Sequence, residues 1–149
     1  MDIKFTSGNI VDQQVGSIVV NLFEGSRKPT GATKAVDIAL DGLISTLIEN
    51  GEIKGKTGEL TLIHTGDKIT PSHVLVAGLG KPKELTIDNV RTLAAETCRR
   101  LRNAEVQSVA TIMHGAGAGG LDLLSCSRAF VEGCVMGLAT AVGMQRERG

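Results

Sequence analysis

The sequence predicts an α/β fold, a mixed β-sheet flanked by helices on both faces. Three observations predict it. Val74 to Ala77 is an unbroken apolar run that suits a strand buried on both faces. Behind it, Gly78 and Gly80 permit a tight turn, and Ile87, Val90, Leu93, Ala94, Cys98 and Leu101 recur at helical spacing. Along the chain the elements read strand, strand, helix, two strands, helix, strand, helix, an order that layers helices against a sheet. At 149 residues the chain is expected to be one domain, with a core large enough to hold without staples.

Ile3 to Thr6 alternates apolar and polar and opens the sheet, and Ser7-Gly8-Asn9 turns the chain. Ser17 to Phe23 is a stronger, nearly continuous apolar strand. A loop from Glu24 to Gly31 follows, with the basic pair Arg27-Lys28, which reads first as solvated surface charge and alternatively as a pair that, beside a sheet edge, recruits an anion. One helix is expected from Thr33 to Asn50. Val36, Leu40, Leu43, Ile44, Leu47 and Ile48 make its buried face, and Asp37, Asp41, Ser45 and Glu49 point outward. Gly42 costs it about 1 kcal/mol relative to Ala, and Asn50-Gly51 is its C-cap.

The polar connection Glu52 to Gly58 leads to a strand over Glu59 to Thr65, and then to the Val74–Ala77 strand, which Gly78 is expected to stop. Thr86 caps the next helix, with Asp88 in its first turn and Arg99, Arg100 and Arg102 in its last, a charge order that complements the helix dipole. Ser108 to Met113 is the last strand. His114-Gly-Ala-Gly-Ala-Gly-Gly120 runs from it to a helix that Asp122 caps and that reaches about Leu138, leaving Gln145 to Gly149 as a frayed tail.

Composition excludes several functions. Sixteen basic residues balance sixteen acidic ones, so no electrostatic grip on nucleic acid is expected. Tyr and Trp are absent and Phe occurs three times, which leaves no platform for stacking bases. Cys98, Cys126 and Cys134 lie in helical segments without a Cys-x-x-Cys and read as buried, reduced thiols. There is no basic-then-apolar leader and no membrane-length apolar run, so a soluble, cytoplasmic protein is expected.

The best candidate for chemistry is the run Gly115, Ala116, Gly117, Ala118, Gly119 and Gly120. It lies between a buried strand and a helix, where free N–H groups and the helix N-terminus can converge on an anion. The alternative is a plain strand-to-helix connection. No Gly-Lys-Ser/Thr follows, so it is not a P-loop, and Gly78-x-Gly80 fails as a dinucleotide fingerprint because Lys83 stands at the third glycine. His114 beside the loop either touches a ligand or finishes the strand as hydrogen-bonded structure. His64, His73 and His114 lack the paired spacing of metal ligands, so no metal or cofactor is expected in this chain. Gly-x-Ser-x-Gly is absent around Ser125 and Ser127; a helix N-terminus could activate Cys126 in principle, but its place a turn inside the helix, near Leu123, Leu124 and Phe130, argues for burial.

Val19-Val-Asn-Leu-Phe-Glu-Gly25, Gly55-Lys-Thr-Gly-Glu59, Val76-Ala-Gly-Leu-Gly-Lys81, Leu85-Thr86 and Phe130-Val-Glu-Gly133 resemble the N-terminal domain of the leucine (cytosol) aminopeptidase family over nearly the whole chain. The resemblance implies a three-layer, macro-domain-like fold over residues 1–149. It also implies that the manganese or zinc of the family belongs to a catalytic metallopeptidase domain this chain lacks. The chain alone is then expected to be non-catalytic, working in oligomer contacts, regulation or interaction, as a homo-oligomer or with a partner domain or protein. The macro-domain likeness implies a second reading: a site for ADP-ribose or a related phosphorylated nucleotide. Gly115 to Gly120, with His114 beside it, would be its phosphate cradle, and Gly25 to Gly31, Ser26 included, its second wall. Asn9 stands where macro domains place the aspartate that reads adenine. An independent hydrolase finds no positioned general base. Neither nucleic acid nor a membrane is an expected partner.

Overall fold

The computed structural model describes residues 1–6, 9–112, 114–115 and 120–148, with side chains as far as 138. Five strands form one mixed sheet: β1 (Asp2–Phe5), β2 (Ser17–Phe23), β3 (Leu60–His64), β4 (His73–Gly80) and β5 (Ser108–Thr111). Their order is β1-β5-β2-β4-β3, with β3 antiparallel to β4 and every other pairing parallel. Helices α1 (Gly31–Ala39) and α2 (Leu43–Glu49) cover one face, and α3 (Ile87–Asn103) and α4 (Leu123–Arg148) the other.

Alternation along the central strands builds the two cores. Ile18, Val20, Leu22, Val74 and Val76 pack with Val36, Leu40 and Ile44 beneath α1 and α2. Ala77 and Leu79 pack with Val90, Leu93, Cys98 and Phe130 beneath α3 and α4, while Val19, Leu75 and Val109 join Leu101. A strand buried on both faces reads as a continuous apolar run for this reason. All three cysteines are buried free thiols, as their setting in helices implies.

The expected single helix from Thr33 to Asn50 is two helices. Asp41 (φ 57) and Gly42 (φ 81) both take left-handed conformations that end α1 and let α2 restart at an angle. Asp37, expected to face solvent, is buried at 8% exposure. Its carboxylate accepts from the Ser45 N–H (2.9 Å) and the Ser45 hydroxyl (2.6 Å), which satisfies an orphan donor of α2. The C-cap at Asn50, with Gly51 at φ 75, is as expected.

Gly78 does not stop β4, which runs on to Gly80. It is a point of close passage. A Cβ at Gly78 would collide with the Lys56 carbonyl, and one at Gly55 would lie 2.5 Å from the Phe23 oxygen. The segment before β3 therefore crosses the end of β4, tied by Gly80 N–H to Gly55 O (2.8 Å) and by the Glu59 carboxylate on the Lys54 and Gly55 N–H groups. The helix expected to end near Leu138 runs to Arg148, so the tail read as frayed is helical through that residue. Strand β5 is described to Thr111; the expected end at Met113 and the turn at Ser7-Gly8 lie outside the described residues. Helix α4 approaches α3 through Gly133 and Gly137. Side chains there would meet the backbone of Arg91 and Ala95.

Candidate functional site

Parallel strands β2 and β5 are neighbours, so the loops leaving their C-terminal ends stand side by side, where ligands of open α/β sheets bind. After β2 comes Glu24 to Thr30, with Gly25 at φ 83 and the Ser26 N–H bonded to Phe23 O at 3.2 Å. After β5 come His114 and Gly115. Ala116, Gly117, Ala118 and Gly119 lie outside the described residues, and Gly120 (φ 76) leads to α4.

His114 is completely buried. The Asn21 amide donates to its Nδ1 (2.9 Å), and Thr111 Oγ1 lies 2.8 Å from its Nε2. Thr111 spends its own proton on the Ile112 carbonyl (3.0 Å), so Nε2 carries the ring proton and donates it. Burial lowers the pKa of the ring to about 4, and the neutral tautomer persists. Phe130 packs on it, ring centres 5.3 Å apart. Both ring nitrogens are thus occupied within the protein, and the residue fixes the entrance of the glycine loop from inside. Gly115, at φ 88, packs at the start of α3: a Cβ would come within 2.8 Å of Leu85, just before the helix, and 3.2 Å of Val90 in it.

The far end of the loop is as firmly set. Asp122 accepts from the Ser125 N–H (2.7 Å) and hydroxyl (3.0 Å), and these bonds hold its carboxyl below the usual range. The buried Cys126 thiol is pushed up by burial and by the Asp122 charge, the opposite of what a nucleophile needs. Asn9 spends its side chain locally: its Oδ1 accepts from Val11 N–H (3.1 Å) and its Nδ2 donates to Asp12 (2.8 Å) in a short 3-10 turn. The structure therefore brings the Gly25-Ser26 and His114-Gly115 segments to one end of the sheet. Both Asn9 and His114 have their polar atoms engaged within the chain.

The pattern of the cytosol aminopeptidase family, N-terminal domain, matches residues 19–141. The chain belongs to that family. A probable cytosol aminopeptidase of Idiomarina loihiensis is 35% identical over 68% of the chain and 20% of its own length. The chain spans about a quarter of the length of the curated relatives it matches, 24% and 20% for two of them. Among solved structures, a Trypanosoma brucei macrodomain in complex with ADP-ribose superposes with a TM-score of 0.74 at 20% identity, over 93% of this chain and 58% of that one. A tomato leucine aminopeptidase mutant does so with a TM-score of 0.68 at 17% identity, over 92% of this chain and 28% of that one. The cytosol aminopeptidase N-terminal domain thus carries a macrodomain-like fold.

No group of three or more His, Cys, Asp or Glu among the described residues is placed to hold a metal ion. His64 and His73 meet edge to face across β3 and β4, their centres 4.6 Å apart. Among the described residues no helix is long and apolar enough to cross a membrane.

Sequence reasoning missed two surfaces. Of seven large apolar side chains exposed among the described residues, Leu123, Leu124, Val131, Val135 and Met136 lie on α4. Leu124, Val131 and Val135, separated by seven, four and eleven residues, were a readable signal of a second stripe, on a face away from the buried Cys126, Phe130 and Cys134. The other is a cleft beside α1 and α2, for which the Arg27-Lys28 pair was a partial sign.

Proposed function

We propose that this aminopeptidase-type N-terminal domain is a non-catalytic contact module that associates with a second copy of itself through the outward face of α4. The observation that carries the reading is the exposed apolar stripe of that helix, with Leu124 61%, Val131 48% and Val135 60% exposed. The charges within the stripe suit a two-fold pair. With two α4 helices antiparallel and the axis level with residue 130, Arg128 of one copy faces Glu132 of the other, which lies 3.7 Å from Arg91 of its own chain, and Leu124 faces Met136. An isologous contact needs such self-complementarity. Sedimentation velocity tests it. The wild-type chain is expected to dimerise at micromolar concentration and Val131→Glu to be monomeric at the same unfolding midpoint. A wild-type chain that stays monomeric at about a hundredfold higher concentration contradicts the proposal.

A second reading rests on the adjacency of the loops after β2 and β5. In it the crevice between them takes ADP-ribose or a related nucleotide, with phosphate oxygens on the N–H groups of residues 115–120. The macrodomain superposition supports the fold of such a site. Against adenine recognition stands Asn9, whose side chain is committed to its own turn. Calorimetry with ADP-ribose is expected to show heat that Gly117→Val abolishes, and no heat at millimolar ligand removes this reading.

A further inference from the structure

The Glu24–Thr30 loop neighbours the loop after β5, and residues 24–29 also line a cleft of about 950 Å³ to which none of the described residues of that second loop belongs. The cleft is walled by the Glu24–Thr30 loop, by α1 and α2, and by the segment that crosses the end of β4. Arg27, Lys28, Lys34, Lys54 and Lys56 line it, and all five are exposed. In a chain whose sixteen cations and sixteen anions cancel, this is a local concentration of charge. Among the described residues none of the five is in an ion pair. Of the three carboxylates in the lining, Asp37 is bound to Ser45, which leaves Glu24 and Glu49 against five cations.

The wall between the cations is aliphatic: Ile38, Ile48 and Ile53. Ile38 is 66% exposed, an apolar side chain held in water within a ring of charge. No aromatic side chain lines the cleft, so nothing there would stack a base. The Lys54 and Gly55 N–H groups at this edge are taken by Glu59.

We infer that this cleft binds a soluble, multivalent phosphate-type anion carrying a short aliphatic group. The lysines and arginine meet the anion, and Ile38 and Ile48 cover the chain. Such a ligand neutralises the unpaired cations and buries the exposed isoleucine in one step. A nucleotide would leave its base without a partner.

Isothermal calorimetry at low salt, with hexyl diphosphate, inorganic pyrophosphate and hexanol as probes, tests this. Hexyl diphosphate is expected to bind about tenfold more tightly than pyrophosphate, and hexanol to give no heat. Lys54→Glu with Lys56→Glu is expected to weaken hexyl diphosphate at least about tenfold at an unchanged unfolding midpoint. Ile38→Asn is expected to reduce it to the level of pyrophosphate. Lys83→Glu, on an exposed turn away from the cleft, and Gly117→Val, in the other loop, are expected to leave it unchanged. Absence of heat with both anions at millimolar concentration would overturn the proposal. So would binding that survives the double substitution, that Lys83→Glu weakens equally, or that is lost in Gly117→Val.

Discussion

His114 is buried, with both ring nitrogens bonded inside the protein, Nδ1 to the Asn21 amide and Nε2 to Thr111. Burial is what lowers its pKa, and it links stability to pH. The unfolded histidine titrates near 6.5 and the folded one at about 4. Between those values the unfolded chain binds the extra proton and the native chain does not. The contribution is therefore complete above pH 6.5 and is lost as pH falls toward 4. In urea titrations, wild type is expected to lose about 2.5 kcal/mol more than His114→Gln between pH 7.5 and 4.5. Equal losses in the two proteins would mean the ring is solvated. The sequence placed this histidine at the end of a strand and left its role open between ligand contact and structure. Its partners Asn21 and Thr111 come from β2 and β5, and no local pattern announces that pairing.

At the scale of elements, the α1–α2 region separates what periodicity can show from what it cannot. The apolar spacing of Val36, Leu40 and Ile44 runs through both helices, because both pack on the same sheet face. The break is set by two left-handed residues, Asp41 and Gly42, and only Gly42 marked the place in the sequence. Asp37 is what makes the restart stable, since its carboxylate holds the first turn of α2. Asp37→Ala is expected to cost about 1–2 kcal/mol in chemical denaturation, as loss of a helix cap does. A change within about 0.5 kcal/mol, the range of an ordinary surface substitution, would show that the carboxylate does not stabilise α2. The strands were more legible. β2 and the core of β4 are apolar runs buried on both faces, and the prediction differed from the structure mainly where Gly78 and Gly80 continue a strand that glycine was expected to end. That continuation depends on the crossing segment at Gly55, a contact distant in sequence.

For the molecule as a whole, the family was legible in scattered short matches, because glycines at crossings such as Gly55, Gly78 and Gly133 are fixed by the backbones they let pass. The surfaces were less so. The outward stripe of α4 is interleaved with its buried one, and the two merge into a helix that reads as apolar nearly all round. The cleft beside α1 and α2 draws its cations from the Glu24–Gly31 loop, from α1 and from the Glu52–Gly58 connection, which only the fold brings together. A domain built in this way bonds its buried His114 and Asp37 within the fold, and the surfaces proposed for contact are its apolar and cationic ones. The most direct measurement is charge exchange across the proposed α4 pair, read as the dimerisation constant by analytical ultracentrifugation. Arg128→Glu and Glu132→Arg are each expected to weaken the dimer about tenfold, and the double exchange to restore it. Single substitutions without effect, or a double variant as weak as the singles, would contradict an antiparallel contact through this helix.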